Sequence, residues 1–234
     1  MKPELLRILY EDNHLIAVCK PAGLLTQADH TGQPNLLDVV RQSIAVRYQK
    51  PGNVFVGLLH RLDRPVTGVV LFAKTSKAAG RLSEQIRQRT VTKIYRARVV
   101  GSLRPPAGRL LHFHIHHEGE RSVQLYDSPA PNTKSATLVY ETRWFDRTES
   151  VVDVQLETGR KHQIRAQLAR VGHPILGDAL YGARAQPQRA AISLCAMRLE
   201  FEHPITKLQV EVSLPPELIP VELRDPNSKE QSAT

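Results

Sequence analysis

Short apolar segments rich in Val, Ile and Tyr recur along the chain and limit the folds that it can adopt. They are Leu15 to Cys19, Val69 to Ala73, Ile94 to Val100, Ala136 to Thr142, Val151 to Leu156, Ile192 to Phe201 and Leu208 to Leu214. Segments of this length and composition are typical of β-strands. Most follow one another with connections too short for a crossover helix. The sequence therefore predicts a mixed, largely antiparallel sheet.

Helical periodicity is weaker than the strand signal. It is clearest in Ala79, Leu82 and Ile86 and again in Ile164, Leu168 and Val171, and a third candidate helix spans Leu36 to Tyr48. Strands outnumber helices, so we predict the α+β class, with helices flanking the sheet. The proline-rich segment Gly101 to Pro131 is irregular and predicts an elaborated hairpin or an insertion. We expect one domain over residues 1–225 and a flexible polar tail over residues 226–234.

Charge and composition narrow the class of partner. The 234 residues include 32 Lys and Arg against 23 Asp and Glu, a formal net charge of +9 that is typical of nucleic-acid-binding proteins and also of basic proteins with other partners. Cys19 and Cys195 are far apart without metal-ligand spacing, which favours a reducing compartment. There is no apolar run of about 18 to 20 residues and no signal-peptide pattern, so we expect a cytoplasmic protein with no membrane partner.

The run from His60 to Gly68 carries the strongest chemical signal. Asp63 lies between Arg61 and Arg64. Nearby positive charge favours the ionised carboxylate, so Asp63 is interpreted as a nucleophile rather than a proton-donating acid. Pro65 disfavours helical geometry, which predicts that Asp63 lies on a loop just before a strand. Taken alone, the run is equally typical of a solvated ion pair or a turn.

Four blocks in order are more specific than any one of them: Lys20 to Leu24, His60 to Gly68, Lys93 to Ala97 and Thr158 to Arg165. Together with Gly172 to Asp178 they resemble the pseudouridine synthases, specifically the RluA branch, over about residues 10–214. The resemblance implies the pseudouridine synthase fold and an isomerase that detaches uracil from ribose in RNA, turns it and rejoins it through carbon 5. It implies no cofactor and no catalytic metal.

The same resemblance implies roles for five residues. Asp63 corresponds to the essential aspartate, although the motif leaves open whether it attacks the sugar or the base, or assists formation of a glycal. Arg165 corresponds to the arginine that pairs with it, on the margin of a helix. Tyr95 corresponds to the tyrosine that packs against uracil, and Arg61 to the residue that fills the space left by the flipped nucleotide or contacts phosphate. Lys20 is assigned a supporting role, in shaping the site or touching RNA.

Other motifs give weaker signals. Lys77, Arg81, Arg87 and Arg89 form either a phosphate track or a solvated face. His112, His114 and His116 alternate, with His117 beside them, but no Cys or acidic cluster completes a ligand set. We therefore expect a polar surface strand there, and no metal site.

Two other functions stay open, and the substrate is not fixed by the sequence. The chain is alternatively a non-catalytic RNA-binding or ribosome-assembly factor, or a nucleobase glycosylase that hydrolyses the bond. We expect no separate N-terminal RNA-binding domain before Leu5, and we therefore expect the catalytic domain to select the RNA. The resemblance points to ribosomal or transfer RNA as the partner, with no obligatory protein partner.

Overall fold

The structure is a computed structural model that describes residues 3–49, 52–183 and 191–224. The chain divides into two compact units. The first unit comprises residues 1–92 and 196–214, and the second comprises residues 93–195 and 215–234. A single domain over residues 1–225 stays a prediction, and the tail 226–234 lies outside the described residues.

Strands dominate the secondary structure. They are β1 (Arg7–Glu11), β2 (Leu15–Lys20), β3 (Gly57–Leu58), β4 (Thr67–Ala73), β5 (Thr92–Val100), β6 (Ala107–Ile115), β7 (Gln124–Tyr126), β8 (Lys134–Phe145), β9 (Glu149–Leu156), β10 (Leu194–Glu202) and β11 (Gln209–Ser213). The helices are α1 (Leu36–Arg47), α2 (Ser76–Gln88) and α3 (Gln163–Arg170), with short 3-10 turns at Pro3–Leu5, Ala179–Tyr181, Pro216–Leu218 and Val221–Leu223. The seven predicted strands and three predicted helices are confirmed, as is the α+β class.

In the first unit, β2 pairs antiparallel with β1 on one side and with β4 on the other, and β3 also pairs with β4. The strands β10 and β11 form a further antiparallel pair. Residues 15–18 of β2 are fully buried. A central strand buried on both faces explains why the sequence from Leu15 to Cys19 is continuously apolar instead of alternating. It also means that the residue ending β2, Lys20, emerges within the core.

Two helices of the first unit begin at residues whose side chains cap the first turn. The Asn35 side chain accepts a hydrogen bond from the Asp38 amide at the start of α1, and Thr75 accepts one from the Ala78 amide at the start of α2. Such caps satisfy amides that have no partner within the helix. The face of α2 that carries Ala78 and Leu82 is buried, as its periodicity predicts.

In the second unit, the strands follow the order β5, β9, β8, β6, β7, and each neighbouring pair is antiparallel. Along β5 the side chains of Tyr95, Ala97 and Val99 are buried, and their neighbours are more exposed. This alternation is expected of a strand with one covered face. The helix α3 contacts β7.

The segment Gly101 to Pro131 is more regular than the sequence predicts. It contains β6, which pairs with β8 over eight residue positions, and β7, which pairs with β6 as a hairpin. The hairpin is confirmed, whereas the description of the segment as irregular is wrong for these residues. The prolines lie outside the strands, at positions 105, 106, 129 and 131, where the missing N–H costs no ladder hydrogen bond.

The prediction of a strand at the alternating histidines is confirmed for His112 and His114, which lie on β6, but the predicted surface position is wrong. His112 and His114 face the interior of the second unit and are 6% and 7% exposed, while Leu111 between them is 47% exposed. His112 Nδ1 accepts from Gln167 Nε2 at 2.9 Å, and His114 Nε2 lies 3.0 Å from the Lys161 carbonyl. Polar partners from elsewhere in the chain make burial of these rings favourable. Burial lowers the pKa of both histidines.

Candidate active site

The His60–Gly68 run forms a loop that leads into β4. Residues 61–66 lie outside any strand, and β4 begins at Thr67, as Pro65 predicts. The Val66 amide donates to the Asp63 carbonyl at 3.0 Å, which closes a turn over Pro65. Asp63 is half-buried, and Arg61 and Arg64 on either side are exposed. The carboxylate therefore lies on a constrained loop with a cationic rim.

A second loop, residues 21–26, holds the first one in place. The Gly23 amide donates to the Arg64 carbonyl at 2.8 Å, and Arg64 Nε donates to the Gly23 carbonyl at 3.0 Å. The buried Thr26 hydroxyl donates to the Leu62 carbonyl at 2.8 Å and accepts from the Leu62 amide at 3.1 Å. The two backbone segments that flank Asp63 are thus fixed by partners about 40 residues earlier in the chain.

Lys20 lies beneath these two loops and has no exposed surface. Its ammonium group donates to the carbonyls of Leu24 (2.8 Å), Pro21 (3.0 Å) and Arg64 (3.2 Å). Burial lowers the pKa of Lys20 to about 8, and the negative charge of Asp63 acts in the opposite direction. Of the two roles expected for Lys20, the burial and the three carbonyl partners support shaping the site.

Only glycine fits at position 68, for both steric and conformational reasons. Its φ is +125°, and a Cβ atom placed on it would lie 2.3 Å from the carbonyl oxygen of Ala196. Contacts this short between Cβ and a backbone oxygen are excluded sterically, and the conformation itself disfavours other residues. The glycine that ends the motif therefore lets β4 start directly after the loop that carries Asp63.

In the second unit, α3 presents Arg165 to the loop Gly172 to Asp178. Arg165 donates through Nε to Asp178 Oδ2 at 2.6 Å and through a terminal nitrogen to Oδ1 at 2.9 Å. The side chains are 6% and 1% exposed. A bidentate pair of this kind fixes the plane of the guanidinium group. The partner of Arg165 in this loop is Asp178.

Tyr181 connects several groups around Arg165. The Arg165 guanidinium lies 5.1 Å from the centre of the Tyr181 ring. The Tyr181 hydroxyl accepts from the Val123 amide at 3.1 Å and lies 2.9 Å from His162 Nδ1. Because the hydroxyl already accepts from Val123, its own proton is available to His162. We call Arg165, Asp178, Tyr181 and His162 the arginine cluster.

No role was assigned from the sequence to Asp178, Tyr181 and His162 of the arginine cluster. Their positions near the quoted motif blocks are the sequence signals that could have identified them. Asp178 closes the quoted block Gly172 to Asp178, and Tyr181 follows it within three residues. His162 lies within the fourth block, and its φ of +53° marks the turn into α3. A polar residue in a conformation that most side chains avoid indicates a constrained turn, but the sequence alone does not show that conformation.

The predicted site residues fall into two groups. Lys20, Arg61 and Asp63 come together in the first unit. Tyr95 and Arg165 belong to the second, where Tyr95 is 7% exposed on β5 opposite Val154. The pairing of Arg165 with Asp63 and the contact of Tyr95 with uracil join residues of both units and stay predictions.

Within residues 3–49, 52–183 and 191–224, no group of three or more His, Cys, Asp or Glu is placed to hold a metal ion. None of the helices in the described part of the chain has both the length and the apolar character that a membrane span requires.

Comparison with known proteins identifies relatives of one kind. Residues 14–170 match the family described as RNA pseudouridylate synthase. The chain is 35% identical over 204 residues to an uncharacterized RNA pseudouridine synthase, YhcT, of Bacillus subtilis, covering 86% of this chain and 65% of that protein. It is 33% identical over 225 residues to the ribosomal large subunit pseudouridine synthase D of Vibrio cholerae, covering 90% and 67%. The chain thus spans about two thirds of the length of these relatives.

Solved structures share the fold. Human RNA pseudouridylate synthase domain containing 4 aligns with a TM-score of 0.77 at 23% identity, over 93% of this chain and 90% of that one. Human RNA pseudouridylate synthase domain containing 1 aligns with a TM-score of 0.72 at 23% identity, over 96% and 88%. At this identity the alignments establish the fold, and the predicted pseudouridine synthase fold is confirmed.

Proposed function

Because the chain belongs to the RNA pseudouridylate synthase family, in its RluA branch, we propose that it is an isomerase that converts uridine to pseudouridine in RNA through Asp63. The observation that carries the proposal is the setting of Asp63. The half-buried Asp63 lies on a loop whose backbone is fixed by hydrogen bonds from the Gly23 amide and from the Thr26 and Lys20 side chains. Groups held by a rigid scaffold in this way are typical of catalytic sites.

The reaction suits a single carboxylate. Cleavage of the bond between uracil N1 and ribose C1′ leaves an electron-poor sugar, which an ionised Asp63 stabilises by its charge or by forming a bond. The base then turns and joins C1′ through carbon 5. Carbon 5 loses a proton and N1 gains one, so atoms and charge balance without an oxidant, a reductant or a water molecule. A glycosidase, in contrast, normally uses two carboxylates at a fixed separation.

The other two predicted site residues of the first unit are Lys20 and Arg61, which lie below and beside the Asp63 loop. Lys20 acts as a positioning residue, since its ammonium joins the carbonyls of Leu24 and Arg64 beneath the loop. Arg61 is exposed beside Asp63, where its guanidinium can occupy the space of a flipped nucleotide or contact a phosphate. Both assignments are consistent with a substrate that enters the site from the exposed side of the loop.

In the second unit we assign Arg165 to orienting the Asp63 charge and Tyr95 to contact with the target base. The ion pair with Asp178 and the Tyr181 ring hold the Arg165 guanidinium in one orientation. A preoriented charge costs little reorganisation during the reaction. The Tyr95 ring is rigidly placed on β5 within the same unit.

Ribosomal RNA is the substrate class that we propose. Several relatives at 30–35% identity carry names that state an action on the ribosomal large subunit. The basic net charge of +9 fits any RNA, because phosphate contacts give affinity without reading the base sequence. The choice between ribosomal and transfer RNA therefore rests on the relatives.

The test uses RNA carrying tritium at carbon 5 of uridine. Purified protein is incubated with ribosomal and transfer RNA fractions from cells that lack the corresponding gene, and tritium release is compared with that of Asp63→Asn. We expect release from the ribosomal fraction by the unmodified protein, no free uracil, and no release by Asp63→Asn. The exposed acid Asp38 on α1 supplies the control Asp38→Asn, which should retain activity.

RNA affinity separates catalysis from binding. We expect Asp63→Asn to bind RNA as the unmodified protein does. Loss of binding in proportion to activity would contradict a catalytic role for Asp63. Equal absence of release from both proteins would support a binding or assembly factor, and release accompanied by free uracil would support a glycosylase.

A further inference from the structure

An open groove in the second unit is lined by residues of β7 and α3 and has a volume of about 410 Å³. One wall is formed by Gln124–Tyr126, and α3 contributes the small side chains Ala166 and Ala169. Two alanines one turn apart leave the space that larger side chains would fill. The Tyr181 ring lines the groove as well.

The groove is continuous with the arginine cluster. Tyr181 lines the groove, and its ring carries the Arg165 guanidinium at 5.1 Å. The Tyr181 hydroxyl also accepts from the amide of Val123, the residue just before β7. A group in the groove is therefore one side chain away from Arg165, the residue that we assign to orienting the Asp63 charge.

The lining suits a flat polar ring. Tyr126 is 41% exposed, and its hydroxyl donates to Gln124 Oε1 at 3.2 Å. This bond uses the amide oxygen of Gln124, whose amide nitrogen carries two donors of its own. An exposed aromatic ring beside an amide is the combination that proteins use to stack and hydrogen-bond unpaired bases.

The charge around the groove favours an anionic ligand. Residues 160–170 include four Arg and Lys and no Asp or Glu. Arg170 lines the groove and forms an ion pair with Asp127, but the two side chains are 48% and 68% exposed. Because exposed ion pairs contribute little, a phosphate can compete with Asp127 for the Arg170 guanidinium. A peptide adding to β7 is less favourable, since β7 has three residues.

We propose that this groove binds an unpaired nucleotide of the RNA substrate, with the base against Tyr126 and Gln124 and its phosphate at Arg170. The inference rests on the proposed function. It assigns the hairpin of β6 and β7 a part in choosing which uridines are modified.

The experiment measures RNA affinity and kinetics for two groove variants. Tyr126→Ala removes the stacking surface, and Ala169→Leu fills the groove. We expect each to weaken binding of a single-stranded RNA oligonucleotide, followed by fluorescence anisotropy, by about tenfold, as expected for loss of one stacked base. With tritiated ribosomal RNA, KM should rise by a similar factor while kcat changes less.

Two controls separate binding from folding. Tyr126→Phe keeps the ring and should retain affinity within about threefold, which would assign the loss in Tyr126→Ala to the ring and not to the hydroxyl. Tyr48→Ala removes a tyrosine of similar exposure, 48%, from the first unit and should leave affinity unchanged. Circular dichroism melting curves of all variants show whether each is folded.

The outcomes distinguish this inference from the proposed function. If the unmodified protein releases tritium and both groove variants keep its KM and oligonucleotide affinity, the groove does not bind RNA and the inference is overturned. If the unmodified protein releases no tritium but the groove variants bind RNA about tenfold more weakly, the groove inference stands and the proposed function fails.

Discussion

The buried ammonium group of Lys20 joins the two loops around Asp63. It has no exposed surface, and its partners are three backbone carbonyls. Three N–H donors matched by three acceptors offset part of the cost of burying the charge. The rest of that cost appears as a pKa lowered to about 8 by burial.

The lowered pKa predicts how stability depends on pH. An unfolded lysine keeps its proton up to its ordinary pKa of 10.5, whereas folded Lys20 loses it near pH 8. Between these values the unfolded chain binds more protons, so the free energy of unfolding should rise with pH. The expected gain from Lys20 is about 3 kcal/mol, since one pKa unit corresponds to about 1.4 kcal/mol.

The measurement is urea unfolding of the protein and of Lys20→Met at several pH values from 7 to 11. Both proteins carry Cys19→Ala, because burial raises the pKa of the neighbouring thiol and its titration would enter the comparison. The stability difference between the two proteins should change by the expected amount across this range. Lys77→Met on the exposed face of α2 is the matched control and should reproduce the unmodified profile. A pH-independent difference for Lys20→Met would contradict the prediction.

At the scale of elements, α3 carries two arginine–aspartate pairs of the same bidentate geometry. Arg165 pairs with Asp178 in the interior, and Arg170 pairs with Asp127 at the surface. One helix therefore holds one pair that is removed from solvent and another, more than a turn further on, that is solvated. Comparing the loss of stability when each aspartate is replaced therefore separates the effect of burial from that of hydrogen-bond geometry.

We predict that Asp178→Asn destabilises the protein and that Asp127→Asn does not. Asparagine keeps the shape of the side chain but removes the carboxylate charge from a buried bidentate ion pair, and breaking a buried pair by changing one partner costs about 3–5 kcal/mol. Water and salt replace the Asp127 carboxylate beside Arg170 at little cost. Urea unfolding at pH 7 measures both variants. Equal stability of the two would show that Arg165 is hydrated or compensated by another group, and would contradict the assigned role of Asp178.

The elements also show which features a sequence reveals. Continuous apolar runs such as Leu15 to Cys19 predict β2 because burial of that strand on both faces leaves no polar alternation. The buried face of β6 was mispredicted because its pattern is inverted, with His112 buried and Leu111 exposed. The partner that makes His112 burial favourable, Gln167, lies 55 residues away. Distant partners of this kind have no local signal.

The same limit applies to the candidate site. The loop position of Asp63 follows from Pro65 and the apolar stretch after it, because both act locally. The three carbonyls that surround Lys20 and the Arg165–Asp178 pair depend on how distant segments fold together. A buried lysine or arginine in a sequence is indistinguishable from a solvated one until those partners are known. The motif resemblance supplied Arg165, whereas the groove beside β7 had no sequence signal.

For the whole molecule, the excess of basic residues should make RNA binding strongly dependent on salt. The formal net charge is +9, and binding to RNA releases counterions from each phosphate that a basic residue contacts. If about four phosphates are contacted, the logarithm of the binding constant should fall against the logarithm of the salt concentration with a slope of about −3.

Filter binding of single-stranded RNA between about 50 and 200 mM KCl measures this slope. Asp63→Asn should give the same slope, because the phosphates contacted are unchanged when one carboxylate of the site is neutralised. If sucrose is added at the lowest KCl concentration in place of further salt, the affinity should stay at its low-salt value. Sucrose carries no ions that compete with the protein for the phosphates. A slope close to zero would mean that base stacking and hydrogen bonds carry the affinity. In that case groove variants such as Tyr126→Ala should weaken binding by more than the tenfold expected above.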